Sequence, residues 1–319
     1  MKYPAAIALP ILLALGAASP AGAIDDPEAT TVDELVVQAR LPGPAWWRVS
    51  DADSTVYVMG VPDALPKGMR WDQTVLKRRL KGANTLITPP VLRASANPLT
   101  VPRLLAEWNR ISHGSGLAQE ITPALLGRFN AAVLRAGKKP KDYQTLRAWF
   151  AGVRLAGDYR KRAGLDFSEP LRTIYRAAKA ARVKPVPALA EDTKAATLLA
   201  GLRQMPPSVG PDCLTGAVEE VEAGDSALRR AAQGWAAGST TGALSAPRSS
   251  ERCYMALQGA ARIKREAMGA QADAIATALR RPGHGVAVLE LRSLVAREGV
   301  LQRLRARGYT VTSPAADGA

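Results

Sequence analysis

PAWWRVSDADSTVYVMGVPDALPKGMRWDQTVLKRRLKGANTLITPP, residues 44–90, decides the fold class of this chain. WWRVS and STVYVMG are rich in β-branched and aromatic residues, and Asp51-Ala52-Asp53 between them supplies turn chemistry, so the pair reads as a β-hairpin. A loop follows, then an amphipathic helix over 71–80 and a strand over 85–88. Hairpin, helix and strand in succession open an α/β domain, and the rest of the sequence continues that alternation.

Beyond residue 88 the pattern is mainly helical. Leu104, Leu105, Trp108 and Ile111 recur at helical spacing over 99–111. Thr122 followed by Pro123 gives a capped start to a helix reaching about Arg135. A third helix over 142–163 places Leu146, Trp149, Phe150, Val153 and Leu155 in its core stripe. A helix over 171–182, a strand over 184–189 and a helix over 193–205 follow, and the helical pattern resumes after Cys213. There Glu219-Glu220-Val221-Glu222 reads as solvated helix surface, and Gly238-Ser239-Thr240-Thr241-Gly242 with Pro247 reads as a loop. The end of the chain gives a helix over 263–279, a turn at 282–285, a strand over 286–291, a helix from Gly299 and a last strand over 308–311. The expectation is one α/β domain over 44–319, with a mostly parallel central sheet flanked by many helices.

The first residues carry an address. Lys2 precedes an apolar run over 5–18, broken by Pro10, and Ala21-Gly22-Ala23 forms an A-x-A cleavage signal, so 1–23 reads as a signal peptide. The competing reading is a retained membrane anchor, but the run falls short of the roughly twenty residues that span a bilayer. No later stretch reaches that length without charges. Export to an oxidising compartment, the periplasm, bears on the two cysteines: Cys213 and Cys253 are expected to form a disulfide, with two free thiols as the alternative. A metal site on two cysteines this far apart has less to recommend it.

The net charge of the full chain is +15. Its basic residues are spread in groups such as Lys77-Arg78-Arg79-Lys81, Arg160-Lys161-Arg162 and Arg303-Arg305-Arg307, which suit solvated helix faces or an anionic membrane surface. No zinc-finger, RRM or helix-turn-helix signature accompanies them, and nucleic acid is not an expected partner. There is also no nucleophile elbow, Walker loop or dinucleotide fingerprint.

Trp47, Tyr57, Gly60, Leu65-Pro66-Lys67-Gly68 and Trp71 together resemble the opening of the TraB/GumN family. Gly164-Leu165-Asp166, the Lys184-Pro185-Val186 strand, Trp235 with Gly238, and Gly299, Gly308, Tyr309 and Val311 extend the resemblance to most of 44–311. Tiki proteases, related to this family, are taken to hold a divalent metal with paired histidines and a glutamate, activating water for attack on a carbonyl. The resemblance implies that those ligands converge at the ends of adjacent parallel strands. This sequence departs from that pattern. Where the family has its first histidine the chain reads Gly60-Val61-Pro62-Asp63, where it has glutamate the chain reads Thr88-Pro89, and where it has the second histidine the chain reads Ser293. Glu191 follows the 184–189 strand one residue late. The two histidines, His113 and His284, read as loop residues with no partner at ligand spacing.

Residues 24–43 form a linker bounded by prolines. Within it Val32, Asp33, Glu34, Leu35, Val36 and Val37 belong to a run, 31–39, that resembles the TonB box of TonB-dependent outer-membrane receptors, which works by strand addition. The same alternation also suits an edge strand or an ordinary linker. The expectation is therefore an exported pseudoenzyme with no catalytic metal or other cofactor, acting as an interaction or accessory protein with envelope proteins or the membrane surface. The alternative is a divalent-metal-dependent hydrolase with altered ligands, for which Asp63, Glu290 and Glu191 are the candidates and magnesium or calcium the suitable, weakly held ions.

Overall fold

The computed structural model describes residues 42–62, 64–166, 168–246, 248, 251–255 and 259–314. The expected leader 1–23, the candidate partner segment 31–39 and Asp63 lie outside the described residues. The hairpin forms as its sequence dictates: β1 (Trp46–Ser50) and β2 (Ser54–Val61) pair antiparallel, with Trp46 opposite Met59 and Ser50 opposite Thr55. Asp51 fixes the turn, its Oδ1 accepting from Ser54 Oγ at 2.6 Å and from the Ser54 N–H at 3.0 Å. These bonds favour the ionised carboxyl and hold its pKa below the ordinary value.

A short β3 (Leu65–Pro66), α1 (Thr74–Leu80) and β4 (Leu86–Thr88) complete the opening unit. The chain then leaves the sheet through β5 (Val91–Ser95), α2 (Val101–Ser112), α3 (Leu117–Glu120), α4 (Pro123–Arg135) and α5 (Ala148–Arg162). It comes back through β6 (Leu165–Asp166), α6 (Glu169–Ala180) and β7 (Pro185–Pro187). A second excursion comprises β8 (Ala190–Lys194), α7 (Ala195–Arg203), α8 (Val209–Ala223), α9 (Ser226–Ala236), α10 (Thr240–Leu244), α11 (Glu251–Met255) and α12 (Ala260–Leu279). The chain closes with β9 (Gly283–Glu290), α13 (Leu291–Val295), α14 (Val300–Ala306) and β10 (Thr310–Thr312). Local chemistry sets α4 where it was expected: Thr122 Oγ1 accepts from the Leu125 N–H at 3.3 Å, and Pro123 occupies the first turn, where no amide hydrogen is needed.

The central sheet has six strands in the order β10-β1-β2-β9-β4-β7. β9 lies inside it, and Val286 to Leu289 are fully buried, as a strand covered on both faces must be. β2, β9, β4 and β7 run parallel, whereas β1 is antiparallel to both β2 and β10. The single α/β domain is as expected, but its sheet is mixed where a mostly parallel one was anticipated. A three-residue turn can join only antiparallel neighbours, and the final strand adds to the outer edge of the hairpin.

Buried apolar side chains form two clusters. The larger one packs Trp46, Trp47, Val58 and Met59 of the hairpin and the core of β9 with Leu76 and Leu80 of α1, Ile174 of α6, Ile275 and Leu279 of α12, and Leu301 and Leu304 of α14. The smaller one is helical and joins Phe129, Val133, Tyr143, Leu146, Leu155, Leu214 and Val218. α5 and α8 approach closely within it, because Gly152 lets the helices meet: a Cβ there would lie 2.7 Å from the Cys213 carbonyl oxygen. Next to them, the Cys213 and Cys253 sulfurs are bonded at 2.03 Å, the pairing expected from the sequence.

Several local expectations are corrected. Residues 239–244 form a capped helix and not a loop, since Ser239 Oγ accepts from the Gly242 N–H and starts α10. Val153 and Leu105 are exposed, and Trp149 and Phe150 are half-buried, packing edge-on with Trp108. Glu220, assigned to the solvated surface, is buried.

Candidate functional site at the strand ends

Several of the residues that carry the family resemblance meet around the carboxyl end of β2. Leu65 pairs with Asp166 and Pro66 with Leu165, and the Lys67 N–H donates to the Gly164 carbonyl at 2.7 Å, so the Leu-Pro-Lys-Gly and Gly-Leu-Asp segments are hydrogen-bonded to each other. Trp235 Nε1 donates to the Gly60 carbonyl at 2.7 Å, and the Trp71 ring packs edge-on against Trp235 at 5.1 Å. Gly60 leaves room for Leu291, whose Cδ1 would sit 2.4 Å from an added Cβ. These motif residues thus build a brace for the strand end, a structural role that needs no ligand.

Beside the brace lies a cavity of about 300 Å³ at the carboxyl ends of the parallel strands β2 and β9, where Val61 is in register with Glu290. Open α/β sheets place ligands at such strand ends. Pro62, Ala64, Leu228, Ala231 and Leu244 give the cavity an apolar wall, and Arg160, Glu220, Glu251, Glu290 and Arg292 supply its charge. Most of these charges are engaged. Arg160 of α5 forms a two-pronged bond to buried Glu220 of α8, Nη2 to Oε2 at 2.7 Å and Nε to Oε1. Arg248 donates to Glu251 Oε2 at 2.6 Å from Nη2 and 2.9 Å from Nε. Arg292 Nη2 reaches the carbonyls of Leu244 and Ala246 at 2.9 and 2.7 Å and pins the end of α10. Glu290 Oε2 accepts from Ser293 Oγ at 2.8 Å. Nearby, burial, then the charges of Asp225 and Glu220, raise the Tyr159 phenol above its ordinary pKa.

The candidate residues do not all converge. Glu290 faces this cavity, and Pro62 and Ala64 line it, while Asp63 lies outside the described residues. Glu191 lies on β8, paired in register with Leu92 of β5 in a separate exposed ribbon, and is not among the cavity's lining residues. Thr88 is buried and its carbonyl accepts from the Ala188 N–H at 2.8 Å, inside the sheet ladder. His113 caps the end of α2, its Nδ1 2.9 Å from Ser112 Oγ. His284 is not in a turn: it belongs to β9, with Nε2 3.0 Å from the Arg79 carbonyl.

A catalytic divalent metal of the kind the resemblance implies needs about three protein ligands and an open position. Among the described residues the side chains do not fit it: three of the strand-end positions hold Thr88, Pro89 and Ser293, and Glu290 is engaged by Ser293. Among the described residues no group of three or more His, Cys, Asp or Glu side chains is placed to hold a metal ion. Arg160, Glu220, Glu251 and Arg292 were not singled out as cavity residues in the sequence. One signal was available, since Glu220 falls seven residues after Cys213 and three after Ala217, on the same helical stripe as the buried face of α8.

The profile of the TraB/PrgY/gumN family matches residues 45–313, nearly all of the described chain. The chain therefore belongs to the TraB/PrgY/gumN family. No curated protein and no solved structure shows a significant match. Among the described residues no helix is long and apolar enough to cross a membrane.

Proposed function

We propose that this protein is an exported, non-catalytic member of its family that serves as an interaction or accessory protein at the cell envelope. One observation carries the reading: the brace of motif residues around Gly60, Trp71 and Trp235 is intact, while among the described residues no group of three metal-ligating side chains gathers at the strand ends next to it. The leader 1–23 supports export, and the Cys213–Cys253 bond is suited to an oxidising compartment. The segment 31–39 and the basic surface supply ways to engage envelope proteins or an anionic membrane.

Elemental analysis of the mature protein, purified without chelators, tests the non-catalytic part. Stoichiometric zinc, manganese or cobalt, lost together with hydrolytic activity on Asp63→Ala, overturns it. Deleting residues 24–40 tests the partner segment, because envelope proteins that co-purify equally well with the truncated chain remove its role. The second reading, a hydrolase with altered ligands, is favoured by one feature: Glu290 and both chain neighbours of Asp63 line the same cavity. Magnesium or calcium would be the appropriate ion for such carboxylates. A Glu290→Gln variant that loses both ion binding and hydrolysis would select this reading.

A further inference from the structure

Past the carboxyl ends of β4 and β7 the same parallel pair continues as the ribbon β5–β8, after Pro89-Pro90 on one strand and Ala188-Leu189 on the other. Every residue of β5 and all of β8 except Thr193 are exposed. Two strands alone make a marginal sheet, and parallel strands are ordinarily covered on both faces. Among the described residues β8 has one neighbour in its sheet, β5, so its outer edge offers backbone groups to a further strand.

The edges of β7 and β8 differ in chemistry. In β7 the Lys184 carbonyl accepts from the Leu86 N–H at 3.2 Å and the Ala188 N–H donates to the Thr88 carbonyl at 2.8 Å. Even-numbered residues therefore turn their backbone groups to β4, and the outward positions hold Pro185 and Pro187, which have no N–H to offer. In β8 the Leu189 carbonyl accepts from the Val91 N–H at 2.8 Å, and the Thr193 carbonyl accepts from Ser95 Oγ at 3.2 Å. Odd-numbered residues face β5 here, so Ala190, Asp192 and Lys194 turn N–H and C=O outward, with no proline among them.

Charge then selects the partner and the register. If β8 pairs antiparallel with a second copy about an axis perpendicular to the ribbon, one residue stands opposite itself. Glu191, Asp192 or Lys194 on the axis would oppose like charges, which destabilises a sheet, and Ala190 there would leave most of the strand unpaired. Thr193 on the axis sets threonine against threonine and places Asp192 opposite Lys194 of the partner subunit, once on each side. Asp192 and Lys194 are also outward-facing, as the hydrogen-bonded pairs of an antiparallel ladder require. Charges on an edge ordinarily guard it against any strand, but these repel in the other alignments and attract in one.

We propose that β8 is a dimerisation edge, through which two copies of this chain pair about a two-fold axis at Thr193 to form a four-stranded sheet in the order β5-β8-β8-β5. No residue of β8 lines the strand-end cavity, and the proposal does not require the non-catalytic reading given above. Sedimentation velocity of the mature chain across a concentration series should show a dimer. Lys194→Glu makes both charged pairs repulsive and should weaken that dimer at least about tenfold, because the axis counts each change twice. Lys194→Arg keeps the sign, and Lys179→Glu on α6 makes the same charge change away from the edge, so both should leave the dimer within about twofold. Cross-linking tests the register. The Thr193 pair is a non-hydrogen-bonded one with Cα atoms about 4.5 Å apart, within disulfide range, so Thr193→Cys should give a covalent dimer under mild oxidation. Ala190→Cys is exposed but would lie about 20 Å from its own copy and should not cross-link. A chain that sediments as a monomer throughout overturns the proposal, including one that captures the strand of another protein instead. So does a dimer that Lys194→Glu leaves intact, one that Lys179→Glu weakens equally, or cross-linking no faster at position 193 than at 190.

Discussion

Removing Arg160 should be the most damaging change to a charged side chain in the helical lobe. Its side chain is 16% exposed and that of Glu220 is 5% exposed, and the two meet in a forked pair that ties α5 to α8 across the wall of the strand-end cavity. Arg160→Ala leaves a buried carboxylate without its partner, a situation that costs about 3–5 kcal/mol. Arg128 and Glu222 provide an internal control, because they form the same forked geometry between α4 and α8 only two residues along the helix. That pair is 46% and 36% exposed, so water replaces the lost bonds and Arg128→Ala should change stability little. Denaturant unfolding of the disulfide-intact protein measures both variants, and a double substitution of Arg160 and Glu220 by apolar residues of similar volume should recover much of the loss. Equal losses for Arg128→Ala and Arg160→Ala would refute the reasoning, as would a double variant less stable than Arg160→Ala.

Three further outcomes follow from the same structure. Gly152→Ala should destabilise, because its Cβ would lie within 2.9 Å of the α8 backbone, whereas Gly157→Ala on the same helix meets nothing within 4 Å and should stabilise. The gain at Gly157 is expected to be about 0.5–1 kcal/mol, read as a shift in the thermal midpoint. Reducing the Cys213–Cys253 bond, which closes a 40-residue separation, should cost about 4 kcal/mol, measured by denaturation with and without reductant. Burial, then the 2.6 Å bond its hydroxyl donates to Asp158, raises the pKa of Tyr143 well above the ordinary value. A raised folded-state pKa means the contribution is complete below the unfolded-state value near 10 and declines as pH climbs past it, so Tyr143→Phe should flatten the loss of stability above about pH 10.

Much of the fold was legible because it rests on local chemistry. The Asp51 turn, the β-branched alternation of β2, the Thr122 cap and the continuous apolar run of β9 each specify an element through interactions within a few residues, and each of those elements formed, β9 beginning at Gly283 inside the expected turn and ending at Glu290. The separations between motif residues carried the family, since Gly60, Trp71, Gly164 and Trp235 are distant in sequence yet serve a single brace. The pairing of Cys213 with Cys253 was equally accessible, there being no other cysteines.

Pairings between distant elements were decided only by the tertiary structure. Nothing in β10 states that it will add antiparallel to β1, because a strand's pattern sets its faces and not its neighbour's direction. The stripe of α8 hints that Glu220 is buried, but only the packing of α5 against α8 brings Arg160 to it as a partner. In the sequence Glu191 follows a strand and Glu290 lies near the end of one, but β8 diverges into an exposed ribbon while β9 stays in the sheet, so of these two only Glu290 reaches the cavity. Arg48, Arg79 and His284 are spread across more than two hundred residues and share a groove because β1, β2, β9 and α1 meet there. Sequence fixes periodicity, caps and turns through contacts a few residues long, whereas a site assembled from distant elements exists only once the sheet order and helix packing are set.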